Sequence, residues 1–518
     1  MKAVTAEVMQ ELDRSTIKDY GITGIELMER AGASVAEIIK ARFSSSGNRT
    51  LLICAGKGNN GGDGFVVSRL LAESGWQVTL LLFAPTDSFS GDAKTNYARI
   101  PSAVSQVQCE QLACVEITSL MLASAVVVDA LFGTGLKSGL TGIHAAAAGC
   151  INSSGRPVLA VDIPSGVDAT SGQVPGGAVR ADITVTFGAA KLGQFLYPGA
   201  EYVGELIVTD IDIPAELLDN APFVEIVDEE YAAGLVKPRS KTAHKGSCGH
   251  CLIIAGSSGK SGAAAMAANS AMRSGAGLVT LAVPAGIHPV VEVKTTEVMT
   301  VPLPETIHGT LSLDSLGEIE DLLAGRNVAA VGPGLGGDAE TAAVVRGIVS
   351  AATIPLVLDA DALNALAGDL HSLRNSSSPA LILTPHPGEM ARLAGATVTA
   401  IESDRLAAAK GFATANNCYL LLKGAHTVIA APDGRLAINS SGNPGMASGG
   451  MGDVLTGVIT ALLGQGYEPF AACCLGAFSH GLAGDMAAAE KGEVGLIATD
   501  LQEMLPYACK RLAAKQKH

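Results

Sequence analysis

The sequence predicts an α/β protein of two domains, each a layered arrangement of helices around a largely parallel sheet. Three observations predict it. Short apolar runs rich in Val, Leu and Ile alternate with stretches of helical spacing, the pattern that builds parallel sheets. The 518 residues exceed what a single hydrophobic core holds. Glycine supplies 61 of them while aromatics make up only 4%, which suits layers joined by tight turns.

The elements follow in order. Residues 1–45 read as helical, because Leu12, Ile17, Ile25, Leu27, Met28, Val35, Ile38 and Ile39 are spaced for a buried stripe. TLLICA (50–55) reads as a buried strand, GKGNNGGDG as a loop, FVVSRLLAES as a helix and QVTLLLFA as the next strand. AVVVDALFG (125–133), PVLAVDIPSG (157–166) and ADITVTFG (181–188) repeat one design, an apolar strand ending in a polar, glycine-bearing loop. LIVTDIDIP (206–214) reads as the last strand of this unit, and the boundary falls around PAELLDNAP. The domains are therefore expected over 1–218 and 225–518.

The second unit opens with loop, strand, glycine loop, helix and strand in HKGSCGHCLIIAGSSGKSGAAAMAANSAMRSGAGLVTLAVP. Its later strands are NVAAVGPG, PLVLDADALN, ALILTPHPGE, NCYLLLKGAH and TVIAAPDG, and the final helices follow SGGMGDVLTG. No fixed-period repeat relates the halves. Ligands of open α/β sheets sit at the carboxyl ends of the strands, so each half is expected to carry its own site.

Charge excludes some functions. The net charge of −15 opposes binding to nucleic acid, which needs a cationic surface. It does not oppose a phosphorylated ligand, since backbone N–H groups at helix starts bind phosphate locally. No uninterrupted apolar run approaches the ~20 residues of a membrane helix. The opening stretch MKAVTAEVMQELDR places Glu7, Glu11 and Asp13 where a signal peptide is apolar, so a cytoplasmic location is expected. Ten cysteines without a framework rhythm are expected to be reduced. Cys248 and Cys251, in CGHC, precede a strand instead of opening a helix, which argues against a redox dithiol. No second CxxC completes a metal site.

In the first half, GKGNNG contains G-x-G-x-x-G between a strand and a helix. A dinucleotide fold of the usual kind places an acidic residue at the end of the next strand. That strand ends in Leu82, Phe83, Ala84 and Pro85, so ordinary NAD-dependent hydride transfer becomes the secondary reading. The glycines still let backbone approach a phosphate at a helix start. Asp129 sits at the end of one strand, and Asp162 and Ser165 lie on a turn fixed by Pro164. A strand-end aspartate alone is more often a helix cap than a catalyst.

Together GNNGGDG, DALFGTG and DIPSGVDA resemble the epimerase domain of the NAD(P)H-hydrate repair family over roughly 1–218. The resemblance implies a Rossmann-like three-layer αβα sandwich. It implies that Asn59, Asn60, Gly61, Gly62 and Asp63, with Gly133, Thr134, Gly135, Leu136, Lys137, Ser138 and Gly139, bind the hydrated nucleotide. It further implies that Asn60, Asp129 and Ser165 coordinate potassium and that Asp162 moves a proton. Moving a hydroxyl between faces of a ring carbon beside nitrogen requires water to leave and return, or the ring to open and close. Either route needs an acid–base group near the oxygen, and oxygen-only ligands suit an alkali cation.

In the second half, GSSGKS fails as a P-loop, because Gly256 lies three residues before Gly259 and Ile254 occupies the required glycine position. NPGMASGGMGDVLTG is stronger. Gly449, Gly450, Gly452 and Asp453 lead into an apolar helix whose first N–H groups form a cradle for a phosphoryl group. Asp453 there can accept a proton from an attacking hydroxyl, or merely complement the helix dipole.

The series HKGSCGH, GSSGKSGAA, RSGAGLV, GPGLG, LDADALN, TPHPGEM, KGAHT and SGGMGDVLTG resembles ribokinase-like kinases. More closely, it is similar to the NAD(P)H-hydrate dehydratase, over about 225–510. The resemblance implies a ribokinase-like αβα domain in which Lys423, Gly424, Ala425, His426, Thr427 and Gly452 contact the adenine nucleotide. Ala263, Gly334, His386 and Asp453 would face the hydrate, and Glu389 would help position magnesium. ADP is the implied phosphoryl donor, the hydrates of NADH and NADPH (NADHX and NADPHX) are the implied substrates, and a homo-oligomer is expected. The two rivals are a vitamin or sugar kinase with an accessory domain, and a first half that only senses nucleotide.

Overall fold

The computed structural model describes residues 1–44, 47–109, 114–136 and 138–516. It divides into one unit over Lys2–Val224 and another formed by Glu225–His518 with Met1.

The strands of the first unit are β1 (Lys2–Val4), β2 (Thr50–Ala55), β3 (Gln77–Leu82), β4 (Ser105–Gln108), β5 (Val126–Ala130), β6 (Val158–Val161), β7 (Ile183–Phe187), β8 (Ala190–Lys191) and β9 (Glu205–Thr209). Seven form a sheet in the order β4-β3-β2-β5-β6-β7-β9, with every pairing parallel. A parallel sheet must be covered on both faces, which is why its strands read as unbroken apolar runs. In β2, Leu51 and Ile53 pack with Val35, Ile39 and Phe65 on one face. Leu52 and Cys54 pack with Ile117, Met121 and Ile151 on the other.

Residues 1–45 form more than one helix. After β1 come helices Ala6–Tyr20 and Gly24–Phe43. The first stops at Gly21, at φ 73°, and Thr23 and Glu26 start the second with a reciprocal capping box. The GNNGGD stretch is also not a loop, since helix Asn59–Glu73 begins at Asn59. Glycine-rich sequence is a poor helix former in isolation, and tertiary packing overrides that here. A Cβ at Gly61 would lie 1.9 Å from the Gly56 carbonyl oxygen, so only glycine lets the helix start press onto the end of β2. β9 stops at Thr209, short of Pro214, because Asp210 accepts the Asp212 N–H and the chain turns with Asp212 at φ 63°.

The second unit contains β10 (Val224–Val227), β11 (His250–Ile254), β12 (Leu278–Pro284), β13 (Met299–Leu303), β14 (Val328–Val331), β15 (Leu356–Leu358), β16 (Leu381–Leu383), β17 (Tyr419–Leu422), β18 (Val428–Ala430) and β19 (Leu436–Asn439). Their order is β13-β12-β11-β14-β15-β16-β17-β18-β19-β10, parallel except where β18 runs against β17 and β19. Helices Ser261–Arg273, Met451–Gly464, Pro469–Lys491 and Ala498–Lys515 bury one face of the sheet. Helices Leu316–Leu323, Ala339–Ala351 and Arg405–Asn416 bury the other. Cys251 of the CGHC stretch is a fully buried β11 residue whose thiol burial pushes up to about 12, far from a reactive thiolate.

Helix Met451–Gly464 carries the glycine cluster, and its depth depends on Gly457. A Cβ there would lie 2.2 Å from the Ala267 carbonyl oxygen and 2.8 Å from Ser270 Cβ on the neighbouring helix. Gly457→Ala is expected to destabilise this unit by about 1–3 kcal/mol through overpacking. Gly234→Ala, with nothing within 4 Å of its new methyl group, should stabilise it by about 0.5–1 kcal/mol. Denaturant midpoints of the two variants should move in opposite directions.

Candidate active sites

In the first unit a cavity of about 580 Å³ opens at the carboxyl ends of the strands. Asn59, Asn60, Asp63, Gly133, Thr134, Gly135, Leu136 and Asp162 line it, and so do Asp13, Lys57 and Lys191. Gly61 and Gly62 do not line it; Gly61 packs on Gly56 and Gly62 on Met28. Gly139 lies against the backbone of Gly176, and Ser138 is likewise absent from the lining. Lys137 lies outside the described residues.

Asp162 follows β6 with φ 66°, a left-handed conformation that costs a non-glycine residue about 1–3 kcal/mol and is typical of functional positions. Its neighbours hold it there. Lys191 Nζ donates to Asp162 Oδ1 at 2.6 Å, to Thr186 Oγ1 at 2.8 Å and to the Phe187 carbonyl at 3.0 Å. Gln194 Nε2 donates to the Asp162 carbonyl at 2.8 Å, and the Lys191 N–H donates to Gln194 Oε1 at 2.7 Å. Lys191 is only 1% exposed. Sequence reasoning does not single it out, because a lysine just past a strand normally reads as surface; the apolar neighbours in AAKLG were the available signal.

Asp129 is fully buried at the end of β5. Its carboxylate accepts from Ser165 N–H at 2.8 Å, Ser165 Oγ at 2.7 Å and Leu131 N–H at 3.2 Å. These donors are all neutral, and burial pushes its pKa up to about 6. Asn60 and Asp162 meet at Gly133: a Cβ there would lie 3.3 Å from both Asn60 Oδ1 and Asp162 Oδ2. Among the described residues the buried Asn60 Nδ2 has no hydrogen-bond partner. Burial raises the Asp63 carboxyl well above the usual range, and Asp162 and Asp13 raise it further. Asp13 rises to about 6, chiefly from burial, with Lys191 opposing.

In the second unit the centre is Asp359, at the end of β15 and 1% exposed. Lys423 Nζ donates to its Oδ1 at 2.8 Å and Thr456 Oγ1 to its Oδ2 at 2.8 Å. The next residue, Ala360, has φ 48°, and Asp361 then accepts the Gly336 N–H at 2.8 Å and pairs with Lys260 at 3.0 Å. Sequence reasoning includes LDADALN in a recognisable series but gives Asp359 no role.

The other predicted residues are arranged around this pair. Helix Met451–Gly464 starts at Gly450, φ 92°, without a side-chain cap, which leaves its first N–H groups available. A Cβ at Gly452 would lie 3.3 Å from Lys423 Nζ. Asp453, in the first turn, has its carboxyl pushed up to about 7 by burial and by Asp359, with Lys423 opposing. Glu389 is buried 3.9 Å from Lys423 Nζ and caps its own helix reciprocally with His386: its Oε2 accepts the His386 N–H at 2.8 Å, while His386 Nδ1 accepts the Gly388 N–H at 3.0 Å. The loop Lys423–Thr427 is pinned from beneath by Arg405, which donates to the carbonyls of Leu422, Lys423 and Ala425. Ala263 and Gly334 adjoin each other, since a Gly334 Cβ would lie 3.0 Å from Ala263 Cβ. Among the described residues no group of three or more His, Cys, Asp or Glu is placed to cage a metal.

Two strand-end carboxylate sites, the second beside an uncapped glycine-rich helix start, define a two-domain α/β enzyme whose second domain is ribokinase-like. A ribokinase-like superfamily protein from Enterococcus faecalis shares that fold, at TM-score 0.50 and 24% identity over 56% of this chain and 96% of that one. A dehydratase from Bacillus subtilis described as ADP/ATP-dependent, crystallised with ATP and magnesium, matches at TM-score 0.50 and 31% identity, covering 56% of this chain and 99% of that chain. The family model for NAD(P)H-hydrate dehydratase matches residues 251–507, and that for the YjeF-related protein N-terminus matches 24–193. The bifunctional NAD(P)H-hydrate repair enzyme of Moorella thermoacetica is 45% identical over 99% of this chain and 97% of its own length. Its Escherichia coli counterpart is 37% identical over 96% and 92%. The chain belongs to the family of bifunctional NAD(P)H-hydrate repair enzymes.

Lys191→Met would leave the Asp162 carboxyl without its ammonium partner and is expected to destabilise the first unit by about 3–5 kcal/mol. Adding Asp162→Asn should recover much of that loss, which a double-mutant cycle by denaturant unfolding would measure. Asp453 makes a prediction of opposite character. Its pKa is raised on folding, so the stability from its protonated form is complete below 3.8 and is lost as pH rises through about 7. Asp453→Asn should flatten that decline, leaving the variant more stable than wild type at the alkaline end when melting is followed across this range.

Proposed function

We propose that the first unit interconverts the R and S hydrates of NADH and NADPH, and that the second dehydrates the S form, with ADP giving AMP and phosphate. The observation that carries the reading is the placement of Asp453. It is a carboxyl with a pKa pushed up to about 7, in the first turn of an uncapped helix and beside the Asp359–Lys423 pair. A base poised near neutral pH and a set of free N–H groups are what phosphoryl transfer to a hydroxyl needs.

In this reading Ala263, Gly334, His386 and Asp453 face the hydrate, while Lys423 to Thr427 and Gly452 hold the adenine nucleotide. Asp453 takes the proton of the ring hydroxyl. The helix N–H groups stabilise the terminal phosphoryl as it transfers to that oxygen. The ring nitrogen's lone pair then expels phosphate to give a C=N bond, and loss of a proton from the neighbouring ring carbon restores the dihydronicotinamide. Magnesium supplies charge neutralisation on the phosphates. The hard oxygens of buried Glu389 suit it, and Glu389 would help to hold it.

In the first site Asn59, Asn60, Asp63 and Gly133 to Leu136 hold the hydrated nucleotide, and Asp162 moves the proton. Potassium supplies positive charge held by Asn60, Asp129 and Ser165. The fit rests on a fully buried Asp129 whose donors, Ser165 and the Leu131 N–H, are neutral, and on an all-oxygen donor set. Action on dissolved nucleotides places the reaction in the cytoplasm in this reading, and the chain is expected to work as a homo-oligomer.

The test is recovery of dihydronicotinamide absorbance from a mixed R and S hydrate, with ADP, magnesium and potassium. Wild type should restore both epimers quickly. Asp162→Asn should show a fast phase and then a slow one at the spontaneous epimerisation rate. Asp453→Asn should lose about 10²-fold or more on both epimers, the scale of a missing general base. No recovery with ADP or ATP would overturn the reading, and a stable phosphorylated product would point to a kinase.

A further inference from the structure

The epimerase reading leaves one cavity group unused. Asp13 lines the same cavity as Asp162 but comes from a different element, helix Ala6–Tyr20. That helix is fixed in place. Its Ala6 N–H donates to Thr170 Oγ1 at 3.0 Å, Thr170 Oγ1 donates to Glu7 Oε2 at 3.3 Å, and Met9 and Leu12 are buried in the core. The strand just before it, β1, pairs with β8 in a register that puts Val4 opposite Lys191. The residue that holds Asp162 therefore also anchors the segment carrying Asp13. Asp162 is committed to Lys191 and Thr186, whereas no hydrogen bond or ion pair is recorded for Asp13 among the described residues.

If the hydroxyl leaves as water and water returns to the other face, a proton is delivered at one position and removed at another. We propose that Asp13 is the second acid–base catalytic residue of epimerisation, protonating the departing hydroxyl while Asp162 receives a proton from the entering water. This inference rests on the epimerase reading above. As the C–O bond breaks, the ring-nitrogen lone pair forms a C=N bond and the Asp13 proton leaves in the water produced. As the new C–O bond forms, those electrons return to nitrogen and a proton of the entering water passes to Asp162. Exchange with solvent then returns Asp13 to its acid form and Asp162 to its carboxylate. The reverse direction uses the two groups in exchanged roles, as an epimerase requires.

The full-length protein without ADP, so that dehydration is silent, would be given pure R hydrate in heavy-oxygen water, and both epimers would be separated over time. Wild type should take up one solvent oxygen per epimerisation. Asp13→Asn should lower kcat by about 10²-fold and leave KM within about threefold, the signature of a lost transition-state interaction. Asp13→Glu, which keeps the carboxyl, should restore much of the rate. Wild-type kcat in Asp13→Asn would overturn the role of Asp13, as would a Glu variant as inactive as the Asn variant. Epimerisation without solvent oxygen would overturn the water route. A wild-type protein no faster than buffer would instead overturn the epimerase reading itself.

Discussion

Each unit is organised around a lysine drawn inward to an aspartate at the carboxyl end of a parallel strand. In the first, Lys191 is 1% exposed and holds Asp162; in the second, Lys423 holds Asp359. Taking an ammonium and a carboxylate out of water costs several kcal/mol per ion, and the mutual attraction offsets that only with good geometry and further hydrogen bonds. Both pairs meet that condition. Thr186 and the Phe187 carbonyl complete the first lysine's donors, and Thr456 completes the second aspartate's acceptors. The aspartate of one pair, and the residue just after the other, adopt positive φ at Asp162 and Ala360. The local backbone strain is sustained because so many partners fix the same geometry.

Among the described residues Asp13, Asp129 and Asp453 form no direct ion pair with either lysine. Asp13 and Asp129 rise to about 6, and Asp453 to about 7, with burial the first cause each time. Beside each lysine-bound aspartate there thus lies a carboxyl that burial raises toward neutral pH. The same raised pKa values weaken the folded state as pH rises, so the groups suited to proton transfer are also local liabilities of the fold.

Much of this was legible in the residues. Unbroken apolar strands alternating with helices specify layered parallel sheets, and polar glycine loops at strand ends mark where the cavity of the first unit opens. The capping box of Thr23 and Glu26 is a local signal too, although the apolar stripe that crosses it reads as one helical region. What misled was also local. GNNGGD looks like loop because glycine is a weak helix former; it is helix because absent side chains allow contact with the end of β2 and with Met28.

By itself the sequence determined the fold class, the two-part organisation and the positions of Asp162 and Asp453, since each of these depends on periodicity or on a contiguous motif. Only the tertiary structure decided the partners. Lys191 lies 29 residues from Asp162, Lys423 lies 64 from Asp359, and Asp13 reaches the first cavity from a helix far ahead of either loop. Such pairings are set by strand order and register: β8 beside β1, and β15 two strands away from β17. No short window of sequence contains that information, because burial of a charge becomes favourable only after the sheet has brought its partner within hydrogen-bonding distance.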